Sequence, residues 1–196
     1  MSKAKPGASR KNALSRSEKI AIPIIIIIAV WVVYSLSQPA VPSSPTTSTQ
    51  TTGTAGATDF TLPVVSSTGL TGQTVTLSSF RGKVVLLEFM EPWCPHCQKM
   101  APVLEKLYMQ YGKSNVVMLT VSGPWQGATA QDTAGFIKDY GSSWTYVYDS
   151  SGTVVSEFGV TSTPTFIIIG KDGSVVANYE GEQSYETLAA ALSAAS

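Results

Sequence analysis

Val84-Val85-Leu86-Leu87-Glu88-Phe89 runs toward Trp93-Cys94-Pro95-His96-Cys97, and Gln98 to Tyr111 follows directly. The first stretch is an apolar run that reads as a buried strand, broken only by one carboxylate. The last carries Met100, Val103, Leu104, Leu107, Tyr108 and Tyr111 at helical spacing. Strand, then CxxC, then helix places Cys94 at a helix N-terminus. Unpaired backbone N–H groups and the positive end of the macrodipole favour an anion there. A thiolate is such an anion and is the nucleophile of disulfide exchange. The segment therefore points to thiol–disulfide redox chemistry.

The remaining composition narrows that chemistry. Cys94 and Cys97 are the only cysteines among 196 residues, so a multi-bridge secreted scaffold is excluded. A closed zinc site needs four ligands, and the single histidine, His96, sits inside the motif. No metal site and no cofactor are expected. Formal charge balances at 13 basic and 13 acidic residues but is unevenly spread. Six basic residues precede position 20 against Glu18 alone. Beside a hydrophobic stretch, such a tail fits membrane topology better than nucleic-acid binding.

That stretch, Ile20 to Leu36, is uncharged and 17 residues long, near the lower limit for a membrane-spanning helix. Pro23 falls in its first turn, and Trp31 and Tyr34 lie toward its far end as interfacial aromatics do. The competing reading is a cleaved signal peptide, for which Ser35-Leu36-Ser37 is a weak site. An isoleucine run without a polar face argues against a core helix. The expected organisation is a basic cytoplasmic tail (1–19), a transmembrane anchor (20–37), a Ser/Thr/Pro-rich linker (38–58) and a folded domain (59–196). The positive-inside rule places that domain outside the cytoplasm.

Within the domain, Phe60 to Val64 and Thr74 to Leu77 read as strands split by a turn at Gly69 to Gly72. Pro102 should kink the helix after the cysteines, and Gly112 should end it. Val116 to Val121 and Trp144 to Tyr148 are further strands, with a helix around Ala130 to Tyr140 between them. A turn at Asp149 to Gly152 follows. Thr165 to Ile169 and Ser174 to Tyr179 form a hairpin, and Ser184 caps a closing Ala-rich helix. This order predicts an α/β domain with a mixed sheet flanked by helices.

These residues resemble the thioredoxin superfamily from Asp59 to the C-terminus. Trp93-Cys94-x-x-Cys97 is similar to the family's redox motif, and Pro102 to its helix proline. Thr163-Pro164-Thr165 resembles its cis-proline loop, and Glu88 falls where thioredoxins carry a buried carboxylate. Phe60 to Leu62, Leu77 to Lys83 and the insert around Trp125 resemble the TlpA/ResA-like membrane-anchored branch. The dipeptide Pro95-His96 departs from that branch and is similar to DsbA-like oxidases.

The resemblance implies Cys94 as nucleophile and Cys97 as resolving thiol, joined as a redox disulfide in the oxidised state. His96 would favour the Cys94 thiolate, the alternative being a solvated loop histidine. Glu88 would take the Cys97 proton, the alternative being a pair with a lysine such as Lys83. Thr163 and Pro164 would present backbone to a substrate cysteine segment, with Trp93 and Pro95 beside it. Trp125 either lines the same groove or only packs. The expected activity is a membrane-anchored extracytoplasmic thiol–disulfide oxidoreductase, leaning to dithiol oxidation, with reduction of protein disulfides (cytochrome c maturation type) as the alternative. Its partners would be cysteine-containing proteins, a membrane or extracytoplasmic redox partner and the bilayer, with no nucleic acid. A copper-binding module lacks a further ligand, and a peroxiredoxin-like peroxidase would need a PxxxTxxC-type site that the residues around Cys94 do not form.

Overall fold

A computed structural model of the chain describes residues 56–196. The expected tail and anchor, and nearly all of the linker, lie outside the described residues. From Gly56 onward the chain is already joined to the domain: Gly56 bridges Ser174, and the Ala57 N–H donates to the Gly173 carbonyl at 2.9 Å.

Seven strands form one sheet. In chain order they are β1 (Thr61–Ser66), β2 (Gly69–Thr76), β3 (Val84–Met90), β4 (Val116–Ser122), β5 (Thr145–Tyr148), β6 (Thr165–Ile169) and β7 (Val175–Glu180). Their spatial order is β2-β1-β5-β4-β3-β6-β7, so the sheet is mixed as expected. β3 runs parallel to β4 and antiparallel to β6. Among the described residues four α-helices cover the sheet: α1 (Pro95–Tyr111), α2 (Ala130–Tyr140), α3 (Thr153–Glu157) and α4 (Tyr185–Ala195).

β3 is buried along its whole length because helices or loops cover both its faces. Its alternation sends Val84, Leu86 and Met90 into one core with Met100, Leu104 and Leu107 of α1 and Leu188 and Leu192 of α4. Val85, Leu87 and Phe89 enter a second core with Phe60, Leu77, Val154 and Val155. Glu88 shares the phase of Leu86 and Met90, which puts it beneath α1. Each fully buried large apolar side chain contributes roughly 1.5–3 kcal/mol. Six such neighbours in β3 offset the cost of burying one carboxyl group.

The elements differ from expectation in two places. β2 begins at Gly69, so the expected turn at Gly69 to Gly72 lies within the strand. The reversal is tighter, at Ser66 to Gly69, where Gly69 takes φ +115° and the Ser66 hydroxyl donates to the Gly69 carbonyl. Second, α3 is not marked by periodicity, since five residues are too few to show it. It is set by its N-terminal turn: Gly152 is left-handed, and an Asp149 carboxylate oxygen accepts the Val155 N–H at 3.1 Å. Gly112 ends α1 as expected, in a right-handed conformation. α1 itself continues through Pro102.

Candidate active site

Cys94 is the N-cap residue of α1. Its Sγ accepts the Cys97 N–H at 3.3 Å, which satisfies one of the orphan donors of the first turn. Pro95 follows at the first helical position, where a missing N–H costs nothing and a fixed φ is already helical. The CxxC spacing thus places one sulfur at the positive end of a 17-residue helix and turns the other inward. Cys94 is half-buried, whereas Cys97 is fully buried among apolar side chains. Both are free thiols in this structure.

The Thr163-Pro164 peptide bond is cis, as the resemblance implied. Cys94 Sγ lies 3.4 Å from the Thr163 carbonyl, to which its S–H donates. Sixty-nine positions of sequence are closed by that contact. Thr163 is half-buried and Pro164 buried, and Trp93 stays 39% exposed beside the motif. Trp93, Pro92 and Gln98 border a shallow surface cleft with Asp132, Asp139 and Tyr140 of α2.

Glu88 lies behind Cys97 and is 3% exposed. It does not pair with Lys83. Its partner is Thr120, directly across in the register of β3 and β4, whose hydroxyl donates to the carboxylate at 2.7 Å. Trp144 Nε1 in turn donates to the Thr120 hydroxyl at 2.7 Å. Burial pushes the Glu88 carboxyl up to about 7 against the Thr120 bond, which opposes the shift. Burial likewise pushes the Cys97 thiol up, and the Glu88 charge adds to it. A carboxyl pushed toward neutrality and a thiol held protonated by burial thus influence each other electrostatically in the interior.

His96 is 60% exposed at its side chain, and its Nδ1 meets Glu182 at 2.5 Å. Lys99 Nζ bonds the same carboxylate oxygen at 3.0 Å. The bonds from His96 and Lys99 hold Glu182 below the usual carboxylate range. The structure thus places His96 in an exposed ion cluster one turn from the sulfurs. Sequence reasoning missed Glu182, because the loop between β7 and α4 carries no motif that ties it to the cysteines 85 and 88 positions away.

Residues 54–178 match the AhpC/TSA family. The chain belongs to that family, with a thioredoxin-like fold. It is similar to the thiol-disulfide oxidoreductase ResA of Bacillus thuringiensis, 31% identical over 121 residues, which is 62% of this chain and 68% of that protein. ResA of Halalkalibacterium halodurans is 32% identical over 112 residues, 57% of this chain and 62% of that one. Among solved structures, MTB dsbF superposes with a TM-score of 0.62 at 26% identity, covering 70% of this chain and 95% of its own. The pneumococcal exposed lipoprotein thioredoxin of Streptococcus pneumoniae gives 0.59 at 27% identity, covering 70% and 99%. With Cys94 and Cys97 poised as described, the chain is a thiol–disulfide oxidoreductase. Glu91 stands three residues before Cys94, where a PxxxTxxC pattern needs threonine. The redox pair is therefore CxxC rather than a peroxidatic site.

Proposed function

We propose that this chain is a membrane-tethered, extracytoplasmic oxidase of protein dithiols, with Cys94 as the exposed sulfur and Cys97 as its resolving partner. The carrying observation is Cys94 Sγ, which caps α1 through the Cys97 N–H at 3.3 Å while touching the Thr163 carbonyl. Donors and a helix dipole at that sulfur stabilise its thiolate, hence the reduced form, which makes the disulfide a stronger oxidant. A substrate thiolate attacks Cys94 Sγ of the oxidised pair, the Cys94–Cys97 bond breaks, and Cys97 leaves with a proton from Glu88. A second substrate thiolate then attacks the substrate sulfur of the mixed disulfide and releases the Cys94 thiolate. Two electrons pass from substrate to the pair, and a membrane or extracytoplasmic redox partner removes them. Thr163 and Pro164 border the incoming segment with Trp93 and Pro95, and Thr163 backbone would pair with it as a strand does.

Two observations favour the reverse direction. The Thr163 carbonyl accepts from the Cys94 S–H, and Glu182 places a negative charge beside His96 and Lys99 near the start of α1, so both oppose a thiolate. The redox potential of the purified chain decides between the two. A value above about −200 mV supports oxidation, and one near −270 mV supports reduction. Tethering rests on the uncharged stretch from Ile20 to Leu36 and the basic residues before it. Labelling of Cys94 in intact cells by a membrane-impermeant maleimide tests it, and labelling only after permeabilisation would overturn it.

A further inference from the structure

Next to the sulfurs lies a cavity of about 340 Å³, bordered by Glu91, Trp125, Gln126, Thr161, Ser162 and Thr163. Glu91 follows β3 and is 4% exposed, and neither of its carboxylate oxygens has a hydrogen-bond partner. The Trp125 backbone N–H lies close enough to favour its charged form without completing a bond. Buried carboxyl groups are normally bonded, so an orphan at a cavity wall calls for a ligand. The groups facing it supply no cation. Asp132 of α2 is negative, Tyr148 of β5 is a neutral phenol, and Cys97 is the buried thiol at the first turn of α1. Burial first, and Asp132 second, push the Glu91 carboxyl up to about 8. Gln126 on the same wall holds a left-handed φ of 51°, a strain that a non-glycine residue keeps only where its surroundings impose it.

We propose that this cavity takes the side chain of a lysine or arginine flanking the reactive cysteine of a protein substrate, with Glu91 as its counter-ion. The proposal rests on the reading that Cys94 exchanges disulfides with polypeptides. Thr163 is both a cavity wall and the carbonyl 3.4 Å from Cys94 Sγ. A segment that delivers its sulfur to Cys94 therefore passes Thr161 to Thr163. Successive residues of an extended segment are about 3.3 Å apart, so a neighbour of the cysteine arrives at the cavity mouth. A long basic stem carries its cation to the buried carboxylate, with Trp125 on the same wall. An apolar side chain would leave Glu91 unpaired. An acidic one would meet two carboxylates.

The test uses the full chain in detergent and three cysteine peptides that differ only in the residue beside the cysteine: Lys, Leu or Glu. The kcat/KM for exchange should fall in the order Lys, Leu, Glu, with Lys over Leu at about tenfold, equivalent to about 1.4 kcal/mol. In Glu91→Gln the Lys-to-Leu ratio should fall to about one. In the unaltered chain the same ratio should rise as pH increases toward 8 and Glu91 ionises, a readout that stands even if the variant folds poorly. Equal rates for Lys and Leu, or a preference that survives in Glu91→Gln, would overturn the subsite alone. No exchange with any of the three would overturn the disulfide-exchange reading and the subsite with it.

Discussion

The two sides of the cysteine pair are built from opposite materials. Behind Cys97, Trp144, Thr120 and Glu88 form a closed chain of buried hydrogen bonds ending on a carboxyl group that burial has pushed up to about 7. In front of Cys94, His96, Lys99 and Glu182 form an exposed ion cluster open to water and salt. Buried, low-dielectric networks act strongly on their neighbours, whereas exposed ion pairs are screened and weak. The difference assigns tasks. The interior side controls whether Cys97 can gain or lose a proton, and the surface side only trims the charge felt by Cys94.

The largest effect should come from the sulfurs. Cys97→Ala removes both the internal disulfide and the resolving thiol, so turnover should fall to background, and a mixed disulfide should accumulate on non-reducing gels when the variant is given a disulfide substrate. Sustained turnover in that variant would remove Cys97 from its role. Next comes the base behind it. Glu88→Gln keeps the shape and the Thr120 contact but cannot carry the proton, so attack of Cys97 on a Cys94–substrate mixed disulfide should slow by about 10²-fold. In the unaltered chain the step that deprotonates Cys97 should accelerate as pH rises, with a midpoint near 7, and that midpoint should vanish in the variant. Stopped-flow resolution of a preformed mixed disulfide reads both, and an unchanged profile would make the interior side structural only.

How much of this was legible beforehand follows the same division. The interior side was written in part: a carboxylate inside an apolar run had to be desolvated, while its place beneath α1, bonded to Thr120 rather than to Lys83, came from the structure. The cysteine at the helix start was recovered because its spacing and neighbours carry the signal, and the Thr163-Pro164 loop through its resemblance to the thioredoxin cis-proline loop. Thr120 and Trp144 were not identified as partners, since the register between β3 and β4 is set by packing, not by any local pattern. Glu182 and Glu91 were invisible in a stronger sense. One is an ordinary loop carboxylate, and the other owes its character entirely to Trp125 and the Thr161 to Thr163 loop folding over it.

The interior side can also be probed by stability. For Glu88 the folded carboxyl is raised from an ordinary value of 4.5 to about 7, so the folded state binds the proton more tightly than the unfolded chain does. The resulting stabilisation is fully present below about 4.5 and is lost as pH rises through 7. The 2.5-unit gap is worth on the order of 3 kcal/mol. Glu91 extends the loss toward 8. Urea midpoints should therefore fall between pH 5 and pH 8, and Glu88→Gln should flatten the part below 7. A flat profile in the unaltered chain would mean that water reaches Glu88 and that the interior side is less closed than its burial indicates.

The smallest effect tests the surface side. Glu182 places one negative charge against His96 and Lys99, close to the N-terminus of α1. Glu182→Gln keeps a hydrogen-bond acceptor for both but removes that charge, so the Cys94 thiolate faces a more positive surface and the reduced form gains. The redox potential should become less negative, making the pair more oxidising, while His96→Pro should move it the other way. Both residues are exposed, so each change should stay below the ~30 mV that one full pK unit represents for a two-electron couple. Raising the salt concentration should shrink the difference between Glu182→Gln and the unaltered chain, because an ion cluster in water is screened within about a nanometre. The Glu88→Gln kinetic defect should hardly respond to the same salt. Opposite salt responses at the two sides would establish the division of labour, and equal responses would dissolve it.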